Sequence, residues 1–420
     1  MPFINGDNIS SLITKLDAKN KEFLWKIPAF RPKLFIDEVE ISNKRVLLRA
    51  DFDVSLNDNY TIADDVRIHK NLPTINYLLD RHNKIICVAK LGRPEGRDLG
   101  LSLKVVVERL AEYVKDRATV RLIDDFLTED RSTFENQQEN EIIVLENIRF
   151  YPEEQEENME FAQKLANLAD VYVNDGFAVS HRREASITGV PQLLPSYGGL
   201  LLKEETEMIS KAINNPKRPL VAIVGGAKIA DKINLITKLI ELADCVLIGG
   251  GLANTFLAAK GCNMQKSLYE KDKVEKAKEL LELAASQETD IILPSDGVVE
   301  NEVFAVDSLP SDSRMLDIGP QTKAHFGAMI ARANTVIWNG PMGYFENPSY
   351  KQGTDFIYYS LAHNPEATTI VGGGDTLAAI SKKEYLDTIT HISTGGGAML
   401  EFIEKGTLPG IEALKGNRME

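Results

Sequence analysis

"TTIVGGGDTLAAI" (368–380) reads as a buried strand, a glycine turn and a helix that starts near Asp375. The β-branched run favours a strand, and glycines let the backbone come close to a ligand. The first helical N–H groups, aligned with the dipole, favour a phosphate. Asp375 at that point is suited either to the Mg²⁺ that accompanies a nucleoside triphosphate or to capping the helix. The turn is neither the Rossmann fingerprint nor a Walker motif, so its neighbours must decide.

The strand-to-glycine pattern recurs in "LVAIVGG" (220–226), "CVLIGGG" (245–251), "TVIWNG" (335–340) and "THISTGGG" (390–397), with "DIILPSD" (290–296) as a further strand. Upstream, "RVLLRADF" (45–52), "KIICVAK" (84–90), "TVRLIDD" (119–125), "IIVLENIRF" (142–150) and "VYVNDGF" (171–177) form an earlier set. Continuous apolar strands alternating with helical patterns mean parallel sheets covered on both faces. Two successive sets predict an α/β protein of two Rossmann-like, doubly wound parallel-sheet domains. The amphipathic segment 198–213, followed by the break "NNPKRP", is expected to be the interdomain helix and hinge.

At 420 residues the chain is long enough for two cores, and its 43% hydrophobic and 26% charged residues are those of a globular protein. A net charge of −14 argues against a nucleic-acid or membrane-surface partner for the whole molecule. Cys87, Cys245 and Cys262 are widely spaced, and no run approaches a membrane span or an apolar signal core. The cytoplasm is the expected compartment.

Ligands of open α/β sheets bind at the carboxyl ends of the strands. In the first set those ends carry Arg49, Asp51, Asp53, Lys90, Arg93, Arg149 and Asp175, with Arg182 downstream; in the second they carry glycines, with Lys228 and Lys232 four apart in "GGAKIADK". One half offers fixed cations and the other exposed backbone, so two different anions are implied. Arginine suits bidentate recognition of carboxylate and phosphate, and a small acid bearing both would satisfy Arg67, Arg93, Arg149 and Arg182. No Ser-His-Asp order, HExxH or paired zinc ligands are present. A carboxylate is already ionised at neutral pH and attacks a phosphoryl group without a general base.

Together, "RADFDVS", "LGRPEG", "VLENIRF", "VYVNDGF", "SHRREAS", "GGAKIADK", "LIGGG", "LDIGP", "WNGPMGYFE", "VGGGDT", "HISTGGGA" and "LPGIEAL" closely resemble phosphoglycerate kinase, in the family's order, from about Lys33 onward. The resemblance implies reversible transfer between Mg-ATP plus 3-phosphoglycerate and ADP plus 1,3-bisphosphoglycerate, by two lobes that close through hinge motion in a cytoplasmic monomer. It implies an acceptor domain at 33–197 with 403–420, the helix at 198–213 and a nucleotide domain at 214–402, leaving 1–32 as an extension. Asp51, Phe52, Asp53, Arg67, Lys90, Arg93, Arg149 and Arg182 fall on acceptor positions, with Arg67 and Lys228 in catalytic roles. Gly226, Lys228, Lys232, Asn339, Glu346, Gly373, Gly374, Asp375 and Thr376 fall on nucleotide positions, with Asp375 at the metal and Gly395, Gly396 and Gly397 in a phosphate loop.

The acceptor half departs from the family pattern. Asp53 stands where Asn is expected, Ser55 for Pro, Lys90 for a substrate-binding His, and Arg183 and Glu184 for Ala and His; Ala230 replaces Ser in the other half. The expectation is the same acid, with two alternatives open: a related enzyme acting on a different carboxylic acid, or a catalytically impaired moonlighting paralogue.

Overall fold

The computed structural model describes residues 35–380 and 383–414. The expected extension (1–32) and residues 415–420 of the expected C-terminal return lie outside them. Among the described residues the chain divides into two compact units, 35–207 with 405–414, and 208–404.

In the first unit the apolar runs form β1 (Arg45–Arg49), β2 (Lys84–Val88), β3 (Thr119–Ile123), β4 (Glu141–Leu145), β5 (Val171–Asn174) and β6 (Ser196–Gly198). They pair in the order β3-β4-β2-β1-β5-β6, parallel throughout. Val46, Leu48, Ile85, Cys87, Ile142 and Val144 are buried in one continuous core; each such burial contributes roughly 1.5–3 kcal/mol relative to exposure. In the second unit β7 (Leu220–Val224), β8 (Cys245–Ile248), β9 (Asp290–Ile292), β10 (Thr335–Asn339), β11 (Thr368–Gly372) and β12 (His391–Ser393) pair as β9-β8-β7-β10-β11-β12, again all parallel. These are two doubly wound α/β domains, as the alternating pattern requires.

The apolar runs overshoot the strands at their carboxyl ends, because those last residues belong to the ligand-facing turns. Three features escaped the sequence reading. β6 is only Ser-Tyr-Gly and carries no Val/Ile run. A hairpin joins Ser55–Leu56 to Ile62–Asp64, and a small antiparallel sheet joins Asp296–Val299, Glu302–Ala305 and Asp317–Ile318. Among the described residues no helix is long and apolar enough to cross a membrane.

The helices that place the chemistry are α1 (Val66–Leu79), α2 (Leu200–Asn214), α3 (Ile233–Leu242), α4 (Gly250–Ala259), α5 (Gly374–Ala379) and α6 (Gly397–Lys405). The boundary between the units falls inside α2. Its start is fixed by Asp175 at the end of β5, whose Oδ1 accepts from the backbone N–H of Leu201 at 2.9 Å and Leu202 at 3.3 Å. Gly199 is required there, because a Cβ would run into the Asp175 carboxylate. Asp175, read as a strand-end acid facing a ligand, is fully buried and serves this cap. Asp175→Ala is therefore expected to cost about 1–2 kcal/mol, measured as a lower urea midpoint, while Asp175→Asn retains most of the cap.

Candidate active site

In a parallel sheet every strand ends on the same edge, so the loops after β1, β2 and β4 meet. Register places Arg49 of β1 opposite Val88 of β2 and Asn174 of β5, which brings residues 50–53 and 89–93 side by side. Asp51, only 2% exposed, takes both of its side-chain bonds from Arg67 of α1, whose Nη1 donates at 2.7 and 3.0 Å. Asn71, one turn further along α1, accepts from the Asp51 N–H and donates to the Asp51 and Arg67 carbonyls. Arg67 is thus held in place by a carboxylate that is itself fixed to the same helix.

The altered positions build the rest. Lys90 Nζ donates to Asp53 Oδ2, and the Gly92 N–H donates to Asp53 Oδ1 at 2.8 Å. The Gly92 carbonyl accepts from Arg149 Nη1 at 3.3 Å, and Arg149 Nη2 donates to Glu184 Oε1 at 2.7 Å. Lys90, Asp53, Gly92, Arg149 and Glu184 form one chain of hydrogen bonds through the "LGRP" loop. Burial opposes ionisation of Asp53, but the Lys90 charge and hydrogen bond, the Gly92 N–H and Arg67 together hold its carboxyl below the usual range. Burial lowers the basicity of Arg182, and the neighbouring Arg149 lowers it further. Arg93 is exposed and Arg182 half-buried.

Other candidates lie elsewhere. Arg49 is fully buried and donates to Ser186 Oγ and the Ala50 carbonyl, so it braces the core. The Phe52 ring is also buried in the core. Arg97 is exposed on Asp124, and Arg183 lies 3.9 Å from Glu157. Glu184 was noted only as a departure; its place on Arg149 makes it part of the cluster. The sequence signal was a carboxylate directly beside the arginines of "SHRREAS".

In the second unit, the turns after β7, β8 and β10 line one cleft of about 710 Å³, counting its open mouth, together with Leu268, Met315, Glu346 and, from the helix after β11, Asp375. Lys232 Nζ donates to the Gly225 carbonyl at 2.6 Å and to Asn339 Oδ1 at 2.7 Å. Asn339 Nδ2 donates to the Gly372 carbonyl at 2.8 Å, and Thr376 Oγ1 bonds both Gly372 and Gly340. Asn339 and the Thr376 hydroxyl therefore fix the turn and Lys232, leaving backbone to meet a ligand. Gly373 has φ +105°, and a Cβ there would lie 2.5 Å from Asn339 Nδ2. Burial lowers Lys232 to about 8, with Asp375 pulling it back up.

α3 begins at Ile233, so Lys228 and Lys232 do not share a helix face; Lys228 is on the exposed loop before it. Gly395 and Gly396 precede α6 and Gly397 opens it; Gly396 has φ +52°, and a Cβ on Gly396 or Gly397 would meet nothing within 4 Å. Asp375 is an exposed carboxylate in the cleft, and among the described residues no three His, Cys, Asp or Glu side chains cluster to cage a metal. That donor set fits a magnesium ion held by one carboxylate and the phosphates of a nucleotide.

The phosphoglycerate kinase family model matches residues 36–406. The phosphoglycerate kinase of Pelotomaculum thermopropionicum is 43% identical over 391 residues, covering 91% of this chain and 99% of its own length. That of Dictyoglomus turgidum is 44% identical over 391 residues, covering 91% and 98%. Among solved structures, phosphoglycerate kinase from Coxiella burnetii superposes with a TM-score of 0.82 at 37% identity, covering 91% and 98%. The Pyrococcus horikoshii enzyme superposes with a TM-score of 0.80 at 31% identity, with the same coverage.

Proposed function

The chain belongs to the phosphoglycerate kinase family, and on that premise we propose how its two sites divide the reaction. It is a phosphotransferase with a carboxyl acceptor, transferring a phosphoryl group reversibly between ATP and 3-phosphoglycerate to give ADP and 1,3-bisphosphoglycerate. Nothing in its relatives favours another acid or a non-catalytic role. The observation that carries the assignment is the chemical contrast of the two sites: side-chain cations in one unit, a glycine-lined cleft in the other.

The first unit, our acceptor domain, takes 3-phosphoglycerate on Arg67, Arg93, Arg149 and Arg182, with Asp51, Asp53 and Lys90 fixing the cations and offering polar contacts. The second, our nucleotide domain, takes ATP along the Gly226 and Gly373–Thr376 turns, with Glu346 at the ribose and Lys232 on the phosphates; Gly226, Glu346 and Asp375 line its cleft. Asn339 holds Lys232 in that position. Gly395 to Gly397 give backbone N–H groups to the transferred group. Asp375 would hold magnesium, which when bound offsets charge on the phosphate oxygens. Because the acceptor carboxylate is ionised at neutral pH, the protein supplies orientation and charge neutralisation and no base. Arg67, kept in one rotamer by Asp51, and Lys228 on its exposed loop meet the negative charge of the transferring phosphoryl. The three free thiols, two of them buried, support a reducing cytoplasmic setting. The charge of −14 supports the absence of nucleic-acid or membrane partners, and the family resemblance supports a monomer.

A coupled assay with Mg-ATP and 3-phosphoglycerate should give a kcat/KM within roughly 10⁴–10⁸ M⁻¹s⁻¹; no turnover despite nucleotide binding would overturn the acceptor assignment. Asp375→Ala should raise the KM for Mg-ATP on the order of tenfold to a hundredfold and leave that for 3-phosphoglycerate nearly unchanged. Equal changes would contradict the division of sites. Lys232 binds phosphate in its protonated form, so nucleotide binding takes up a proton. The KM for ATP should rise as pH increases through about 8. Lys232→Arg, which does not titrate, should remove that dependence.

A further inference from the structure

The Arg149–Glu184 pair is the part of the acceptor cluster that the reaction does not explain. Both side chains are almost sealed, at 3% and 4% exposure, and they meet through one bond of 2.7 Å from Nη2 to Oε1. The pair is incomplete. Arg149 Nε and Glu184 Oε2 are each buried without a hydrogen-bond partner. Arginine and carboxylate satisfy each other best through two parallel bonds, and buried groups left unpaired cost free energy. This contact holds the charges together without meeting the needs of either.

Glu184 also sits among cations that the acceptor needs. Arg149 is close enough to depress the basicity of Lys90, and Arg182 feels the charges of Arg149, Glu184, Arg93 and Asp53. With the Asp51 carboxylate on Arg67 and Asp53 on Lys90, Glu184 makes three acids among the five cations Arg67, Lys90, Arg93, Arg149 and Arg182. Arg67 engages both oxygens of Asp51, and Asp53 accepts the Gly92 N–H as well as the Lys90 ammonium. Glu184 Oε1 has Arg149 as its one partner, and Oε2 has none.

Resting on the reading of Arg149 as an acceptor-binding residue, we propose that Glu184 is an exchangeable internal carboxylate that sets the affinity of this chain for its acceptor. Glu184 occupies Arg149 until an anionic oxygen of 3-phosphoglycerate replaces it. The incoming anion brings two oxygens to the guanidinium and satisfies the Nε that Glu184 leaves unpaired. Arg182, whose own Nε is buried without a partner, keeps a positive charge near the released carboxylate. Stripping one partner from a buried pair is costly, and the exchange limits that cost by giving Arg149 a new anion while Arg182 stays beside the released carboxylate. Glu184 thereby weakens acceptor binding, because each binding event must first give up the internal pair.

A structural strut makes the opposite forecast. If Glu184 only held Arg149 in place, removing its charge would let the guanidinium wander and weaken binding. Titration calorimetry of the full chain with 3-phosphoglycerate, without nucleotide, separates the two. Glu184→Gln should bind about tenfold more tightly, the scale of one charge-assisted hydrogen bond no longer contested. In the steady-state assay the change should sit in the KM for 3-phosphoglycerate and not in kcat. Unchanged or weaker binding by Glu184→Gln overturns the proposal. Should that variant fail to fold, Glu184→His removes the same charge, and its dissociation constant is judged by the same sign. Arg149→Gln tests the underlying reading separately: it should weaken binding by roughly tenfold or more. If Arg149→Gln binds normally, the assignment of Arg149 to the acceptor fails, whatever Glu184 does.

Discussion

A parallel sheet delivers all its strand ends to one edge, and the chemistry of this chain is organised by that constraint. Backbone pairing fixes which strands are neighbours, and neighbours decide which loops share a ligand. Arg49, Val88 and Asn174 sit abreast at the ends of β1, β2 and β5. The loops that follow carry Asp51, Asp53, Lys90 and Gly92, and Arg149 joins them from β4. The second sheet repeats the arrangement with Asn339 beside Val224 and Gly372. There the emerging residues are glycines, and the wall of the cleft is main chain.

Cations gathered at one edge repel one another, and the structure answers with carboxylates placed one by one. Asp51 takes Arg67, Asp53 takes Lys90, and Glu184 takes Arg149. The last two pairs are tied together through the N–H and carbonyl of Gly92, so the loop backbone carries the geometry between them. This arrangement preorganises the side chains, which lowers the ordering cost of binding. It also reduces the attraction available to an incoming anion. The three carboxylates are anchored to different degrees: both oxygens of Asp51 and of Asp53 are bonded, whereas Glu184 Oε2 is not.

Much of this was readable in the residues. Runs such as "LVAIVGG" predict buried parallel strands because nothing polar interrupts them before the turn. The split between cationic and glycine strand ends was visible for the same reason. What stayed hidden depended on partners distant in sequence. Arg49 and Arg149 are both arginines at strand ends, yet one bonds Ser186 inside the core and the other reaches the cluster. Residue type cannot separate them; only the fold decides which direction each side chain takes. Asp175 looked like a ligand-facing acid for similar reasons, and proved to cap the helix that follows Gly199. β6 was missed because a three-residue strand of Ser, Tyr and Gly is defined by its neighbour β5, not by its own pattern.

The departures from the family pattern fall mostly in the acceptor half, and the two modes of recognition account for that asymmetry. A cleft walled by backbone tolerates no side chain at Gly225, Gly249 or Gly340, where a Cβ would strike main chain or Met342. Those three positions cannot be traded. A site built from side-chain charges can change in compensated sets, because a carboxylate gained at one position is offset by a cation at another. Asp53 with Lys90 is such a set: each would be costly alone in this loop, and paired they leave Asp53 free to accept the Gly92 N–H on its other oxygen. Glu184 differs, because on our reading its partner Arg149 is an acceptor-binding residue. A compensated pair can change without touching the substrate, whereas a carboxylate that borrows a binding arginine must alter how that substrate is held.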